Sequence, residues 1–287
     1  MSRVAPVISD PDELREALGA AQVGFVPTMG ALHAGHVALI ERAARENACT
    51  VVSIFVNPTQ FNDPSDLARY PRNLDRDVEV ASDAGADVIY APDAETVYPP
   101  GFSTFVEVGG LTDRWEGEAR PGHFRGVATV VTILLNTVRP RRAYFGEKDY
   151  QQLLVVRRMQ RDLRLPGEIV ACPTVREPDG LALSSRNARL TPEQRQTAVA
   201  LPRSLFAMAA AAKEGERRAA NLLALGRQQL EEAPGLEIEY LAVVEPDELA
   251  PVEEVTPGTR VIAAVRLGDV RLIDNLELLP ADARSTA

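Results

Sequence analysis

Short apolar runs alternate with amphipathic stretches through most of the chain. "QVGFVPT" (22–28), "CTVVSIFVN" (49–57) and "ADVIYAP" (86–92) are continuous apolar segments rich in β-branched residues. Their length and lack of polar alternation predict strands covered on both faces, the first stopped by Pro27. Helical patterns lie between them. "SDPDELREAL" (9–18) predicts a helix capped by Ser9 or Asp10, with Pro11 in its first turn. From about His33 to Asn47, Val37, Ile40 and Ala44 share one face. "LARYPRNLDRDVEVASDAG" holds a further helix. A second series follows: helix 126–140 ended by Pro140, strand 142–149 running into a loop, helix 150–163 and strand 167–176. The alternation predicts an α/β fold, a Rossmann-like doubly wound parallel sheet with right-handed crossovers.

After Arg186 the texture changes. An alanine-rich helical region opens at Thr191–Pro192, and "LEIEYLAVVEP", "TRVIAAVRLG" and "VRLIDNLEL" predict closing strands, antiparallel in a smaller α+β domain. The predicted domains are 1–185 and 186–287.

Composition narrows the function. The 287 residues carry a formal net charge of −10, which argues against nucleic-acid binding through a broad basic face but leaves room for a local anion pocket. Cys49 and Cys172 border strand-like runs and read as free thiols, with no zinc pattern. The first residues lack an apolar signal core, and no apolar run approaches the ~20 residues of a membrane span. These features predict a cytoplasmic protein with no membrane partner.

The chemistry begins at "VPTMGALHAGHVALI" (26–40), which holds two of the chain's three histidines. A strand enters a glycine turn and then a helix, whose first turn offers unpaired N–H groups and a positive dipole end. His33 and His36 are i,i+3 neighbours, able to donate to one phosphate. Gly30 and Gly35 allow a ligand close to the backbone. In "FVNPTQFN", Asn57 and Gln60 follow a strand's carboxyl end, where open α/β sheets bind ligands, and neutral amides suit a substrate with hydroxyls. "YFGEKDYQQ" carries Lys148, one of two lysines against 29 arginines. A compact ammonium reaches a phosphate as a point charge where a guanidinium fork would not fit. "DGLALSSRN" sets Ser184, Ser185 and Arg186 side by side, two hydroxyls and a permanent cation suited to phosphate.

"HAGH" resembles the HIGH motif of the adenylyl-transferring nucleotidyltransferase superfamily. The longer "PTMGALHAGH", with the other motifs, resembles the pantothenate synthetase (pantoate–β-alanine ligase) family, nearly throughout and most strongly over 26–186. The resemblance implies condensation of (R)-pantoate with β-alanine, with ATP as substrate and Mg²⁺ on its phosphates, through a pantoyl-adenylate. It implies ATP contacts from Met29, Gly30, Ala31, Leu32, His33, Ala34, Gly35 and His36. Further ATP contacts are implied from Gly146, Glu147, Lys148 and Asp149, and from Val175, Leu183, Ser184, Ser185 and Arg186. Catalytic roles fall to His36 as proton donor, His33, Lys148 and Arg186. Gln60 and Gln152 are implied to bind pantoate, with Asn57, Tyr70 and Arg120 in the same site. Glu116 and Arg120 lie in "WEGEARPGHFRGV", implied to be a flexible covering loop, where His123 reads as structural. No protein metal ligands are implied, and the family is usually homodimeric. Another nucleotidyltransferase and a non-catalytic nucleotide sensor are the rival readings. A tRNA-charging enzyme is disfavoured by the acidic balance, and the chain has neither a GxxxxGK[ST] nor a GxGxxG motif.

Overall fold

The computed structural model describes residues 4–280. The chain divides into two compact units: Met1–Glu147 with Gln151–Pro173, and Lys148–Tyr150 with Thr174–Ala287.

The first unit runs β1 (Val7–Ile8), α1 (Pro11–Leu18), β2 (Val23–Thr28), α2 (Ala34–Glu46), β3 (Cys49–Ile54), α3 (Pro64–Arg69), α4 (Leu74–Asp83), β4 (Val88–Tyr90), α5 (Ala94–Val97), α6 (Glu116–Ala119), α7 (His123–Val138), β5 (Arg142–Gly146), α8 (Tyr150–Leu163) and β6 (Glu168–Cys172). Its six strands form one sheet in the order β1-β4-β3-β2-β5-β6, every pairing parallel. Successive residues Phe25 and Val26, and Val51 and Val52, are all fully buried, so both faces of the central strands are covered. Ile40 of α2 and Ala81 of α4 pack with Val26, Val52 and Ile89 in one core.

Several details differ from the sequence expectation. Pro27 does not stop β2; it lies within it, opposite Ser53. Thr28 accepts a bond from Phe55 on the β3 side. Pro27 therefore faces β5, whose pairing with β2 is confined to Gly24 and Phe25, and no ladder bond is lost there. β3 ends at Ile54 because Asn57 instead caps a 3₁₀ turn over Pro58–Gln60. The single helix expected around 67–85 is two, α3 and α4. Tyr70 precedes Pro71 and adopts extended backbone (ψ 126°), as a residue before proline must. The stretch 115–127 is not all loop: it contains α6, and α7 starts at His123.

The second unit contains α9 (Pro192–Ala198), α10 (Ala200–Lys213), α11 (Ala219–Glu231), β7 (Leu236–Val244), β8 (Arg260–Leu267) and β9 (Val270–Glu277). Thr191 and Gln194 form a capping box with Pro192 at the first helical position, as expected. The sheet is antiparallel, ordered β7-β8-β9. Leu201, Leu205, Leu222, Val243 and Val265 make its core. Composition changes after Arg186, but this unit already begins at Thr174. The reason is a buried anchor: the Arg176 guanidinium bonds both Asp274 oxygens, at 2.6 and 2.9 Å, and Asp274 is 2% exposed.

Candidate active site

Between β2 and α2 the chain makes a tight turn. Gly30 and Ala31 both have positive φ, 77° and 52°. Glycine is required at the first, because a Cβ there would lie 2.7 Å from Asp77 Oδ2. The buried Asp77 carboxylate of α4 accepts from the Ala31 and Leu32 N–H groups, each at 2.8 Å. The Thr28 hydroxyl accepts from Gly30 N–H and donates to the Ser53 carbonyl. Asp77 escapes the sequence reading because it is one acid among several in an amphipathic helix.

His33 is the N-cap of α2. Its Nδ1 accepts from Gly35 N–H at 3.1 Å, and His36 Nδ1 accepts from His33 N–H at 3.3 Å. The rings lie 4.1 Å apart, centre to centre. A neutral imidazole that accepts at Nδ1 carries its proton on Nε2. The backbone thus sets the same tautomer in both rings, each with an Nε2–H donor at the positive end of the helix. The pair predicted from spacing is brought together, with a capping role that spacing does not reveal.

Asn57 is 1% exposed and its amide is used within the protein. Its Nδ2 donates to Gln60 Oε1 (3.0 Å) and the Gly126 carbonyl (3.1 Å). Its Oδ1 accepts from the Thr59 and Tyr98 hydroxyls, at 2.9 and 2.8 Å. Burial raises the Tyr98 phenol above its ordinary pKa. Asn57 therefore orients the Gln60 amide. The Gln60 carbonyl is braced too, by Arg120 at 3.1 Å and His123 Nδ1 at 2.8 Å. Arg120 also pairs with the buried Glu116 at 3.1 Å and lies 3.2 Å from His123 Nε2. With Nδ1–H donating to Gln60, His123 Nε2 accepts from Arg120. The structure thus places Glu116, Arg120 and His123 in a brace behind Gln60.

Gln151 and Gln152 are about 100° apart around α8. Gln151 is buried and holds the 111–116 segment, donating to the Leu111 and Arg114 carbonyls and accepting from Glu116 N–H. Gln152 is partly exposed. Tyr70 packs edge-on against Phe61, 5.6 Å between centres. Cys49 and Cys172 are free thiols, both raised in pKa by burial.

In the second unit, Lys148 lies partly exposed in the 3₁₀ turn Glu147–Asp149. The Asn275 amide donates to its carbonyl at 3.0 Å. Val175 accepts from Leu183 N–H across a hairpin, which leads to Ser184. Ser184 caps a 3₁₀ turn over Ser185–Arg189, its hydroxyl accepting from Arg186 N–H. Asn187 bonds Glu177 and the Ala182 carbonyl, fixing the base of this loop. Ser184, Ser185 and Arg186 are all partly exposed.

The model of the pantoate-beta-alanine ligase family matches residues 6–277. A pantothenate synthetase of Thermus thermophilus is 55% identical over 274 residues, 95% of this chain and 99% of that protein. One of Deinococcus radiodurans is 54% identical, over 93% of this chain and 97% of its own. The Thermus thermophilus crystal structure matches with a TM-score of 0.93, covering 96% of this chain and all of that one. A pantoate-beta-alanine ligase from Francisella tularensis, complexed with beta-gamma ATP and beta-alanine, matches with a TM-score of 0.78 at 33% identity, covering 96% and 98%.

Proposed function

The chain belongs to the pantoate–β-alanine ligase family, and from that premise we propose that it joins (R)-pantoate to β-alanine with ATP, releasing AMP and pyrophosphate. The observation that carries this at residue level is the His33–His36 pair, whose backbone bonds leave Nε2 as the proton-bearing atom of both rings.

A carboxylate is a poor acyl donor because its leaving group would be oxide. Attack of a pantoate carboxylate oxygen on the α-phosphorus forms a pantoyl-adenylate and breaks the bond to pyrophosphate. The β-alanine amine then attacks the acyl carbon, the bond to AMP breaks, and the amine loses a proton. Neither step needs a protein nucleophile, so positioning and charge stabilisation dominate. His36 donates a hydrogen bond from Nε2–H as negative charge grows on the departing phosphates, beside His33. Lys148, Ser184, Ser185 and Arg186 act on the same ATP. The backbone of Met29–His36, of Gly146–Asp149 and of Val175 and Leu183 completes its contacts. Gln60 and Gln152 hold pantoate; Asn57 and Arg120 act through Gln60, and Tyr70 lines the pantoate side. Mg²⁺ would enter with the ATP phosphates and would supply positive charge against the departing pyrophosphate; none of the residues named here is assigned to it as a ligand.

We further assign the protein to the cytoplasm as a homodimer. Among the described residues no helix is long and apolar enough to cross a membrane.

Exchange of labelled pyrophosphate into ATP tests the order of steps. It should require pantoate and proceed without β-alanine. Exchange that starts only when β-alanine is added would exclude a separate adenylate step.

A further inference from the structure

Asn275 is a polar side chain 5% exposed on β9, between Asp274 and Leu276. A buried amide destabilises a fold unless its groups are bonded. Here they are, and the partners are specific. Asn275 Nδ2 donates to the Lys148 carbonyl at 3.0 Å, and Oδ1 accepts from Arg260 at 2.9 Å. The same Arg260 guanidinium stacks 4.0 Å over the ring of Tyr150, whose hydroxyl donates to the Pro246 carbonyl. The segment Lys148–Tyr150 is thus held at both ends. The neighbouring Asp274 grips Arg176, next to Val175, and its Oδ1 accepts from Asn275 N–H.

We propose that Asn275 is a positioning residue for Lys148, fixing the carbonyl from which the ammonium's reach is set. The 3₁₀ turn Glu147–Asp149 links β5 to α8 through hydrogen bonds of poorer geometry than a helix has, so an outside bond to the Lys148 carbonyl helps to fix it. Release of the carbonyl lets the turn shift, and an ångström at a charge-stabilising group matters. The proposal rests on Lys148 acting on ATP.

A double-mutant cycle tests it with wild type, Asn275→Asp, Lys148→Ala and the double variant. Asn275→Asp keeps the size and the acceptor for Arg260 but turns a carboxylate oxygen toward the Lys148 carbonyl. Its kcat should fall roughly 10–10²-fold with the KM for pantoate unchanged. In the Lys148→Ala background the same change should lower kcat no further, because the group being positioned is gone. Wild-type kcat in folded Asn275→Asp, or the same loss in both backgrounds, overturns the proposal. Near-normal turnover of Lys148→Ala alone overturns the assignment of Lys148 itself, and that single variant tells the two failures apart. If Asn275→Asp does not fold, Asn275→Ala takes its place in the same cycle with the same outcomes.

Discussion

At the scale of single residues, rarity carries the information. Lys148 stands out because the chain uses arginine 29 times and lysine twice. If its ammonium meets the leaving phosphates in a confined place, Lys148→Arg lowers activity at unchanged charge, since the planar fork sits badly. Lys148→Ala should cost about 10²–10³ in turnover, the size of one lost electrostatic stabiliser. Lys213→Arg, late in α10, is the control and should leave the kinetics alone. Steady-state pantothenate formation, with melting curves alongside, decides; a silent Lys148→Arg would return the residue to the solvated surface. The glutamines separate differently. Gln60→Ala and Gln152→Ala should weaken pantoate more than ATP, by about 1–3 kcal/mol, because a buried partner loses its bond. Titration of each ligand checks this, and equal weakening of both would indicate a folding defect. The sequence singles out His33, His36 and Gln60 as candidates because scarce or strand-end polar residues are conspicuous. It does not single out Asp77, Gln151 and Asn275: each is an ordinary polar residue in its local pattern, and its task is set by a partner at least 35 positions away.

Elements were legible where periodicity and capping agreed. Asp10, Pro11, Thr191 and Pro192 marked helix starts that the structure contains. The two-residue β1 has too little sequence to show a period, and α5 and α6 are single turns. Close packing between elements was also silent. Gly126 of α7 lies so near the 3₁₀ turn of Gln60 that a Cβ would sit 2.5 Å from the Thr59 carbonyl oxygen and 2.8 Å from Gln60 N. Both are backbone, so neither can swing away. Gly126→Ala should therefore destabilise by about 1–3 kcal/mol, as overpacking does, and raise the KM for pantoate. Melting and pantoate saturation curves measure it; a change in stability alone would detach Gly126 from the site. The far end of α2 offers a pH test. Hydrogen bonds from Arg42 and then Tyr144 hold the Glu46 carboxyl below its ordinary value of 4.5. A depressed acid contributes stability above its unfolded pKa and loses it as pH falls through the folded one. Wild type should therefore melt above Glu46→Gln at neutral pH, and the gap should close only below pH 4.5. The pair is partly exposed, so added salt should narrow it.

For the molecule as a whole, charge and chemistry pull in opposite directions. A chain of net charge −10 is asked to bind anionic pantoate and ATP. On the proposed reading, local cations and helix-start donors must overcome that background. Linkage turns this into a measurement. A ligand at 100 times its Kd, binding only the folded chain, adds about 2.7 kcal/mol of stability. Two substrates that bind independently add their effects. If instead they react to a pantoyl-adenylate that stays bound, one molecule spans both sets of contacts, and the second set no longer pays for its own immobilisation. The rise in Tm with ATP, Mg²⁺ and pantoate together should then exceed the sum of the rises with ATP and Mg²⁺ and with pantoate alone. An ATP analogue with a methylene bridge between the α- and β-phosphates cannot release pyrophosphate, and with it the excess should vanish. Adding β-alanine to the complete mixture should remove the excess as the adenylate is consumed. An excess that survives the analogue would mean that the two sites are coupled in binding alone, and the retained adenylate would have to be abandoned.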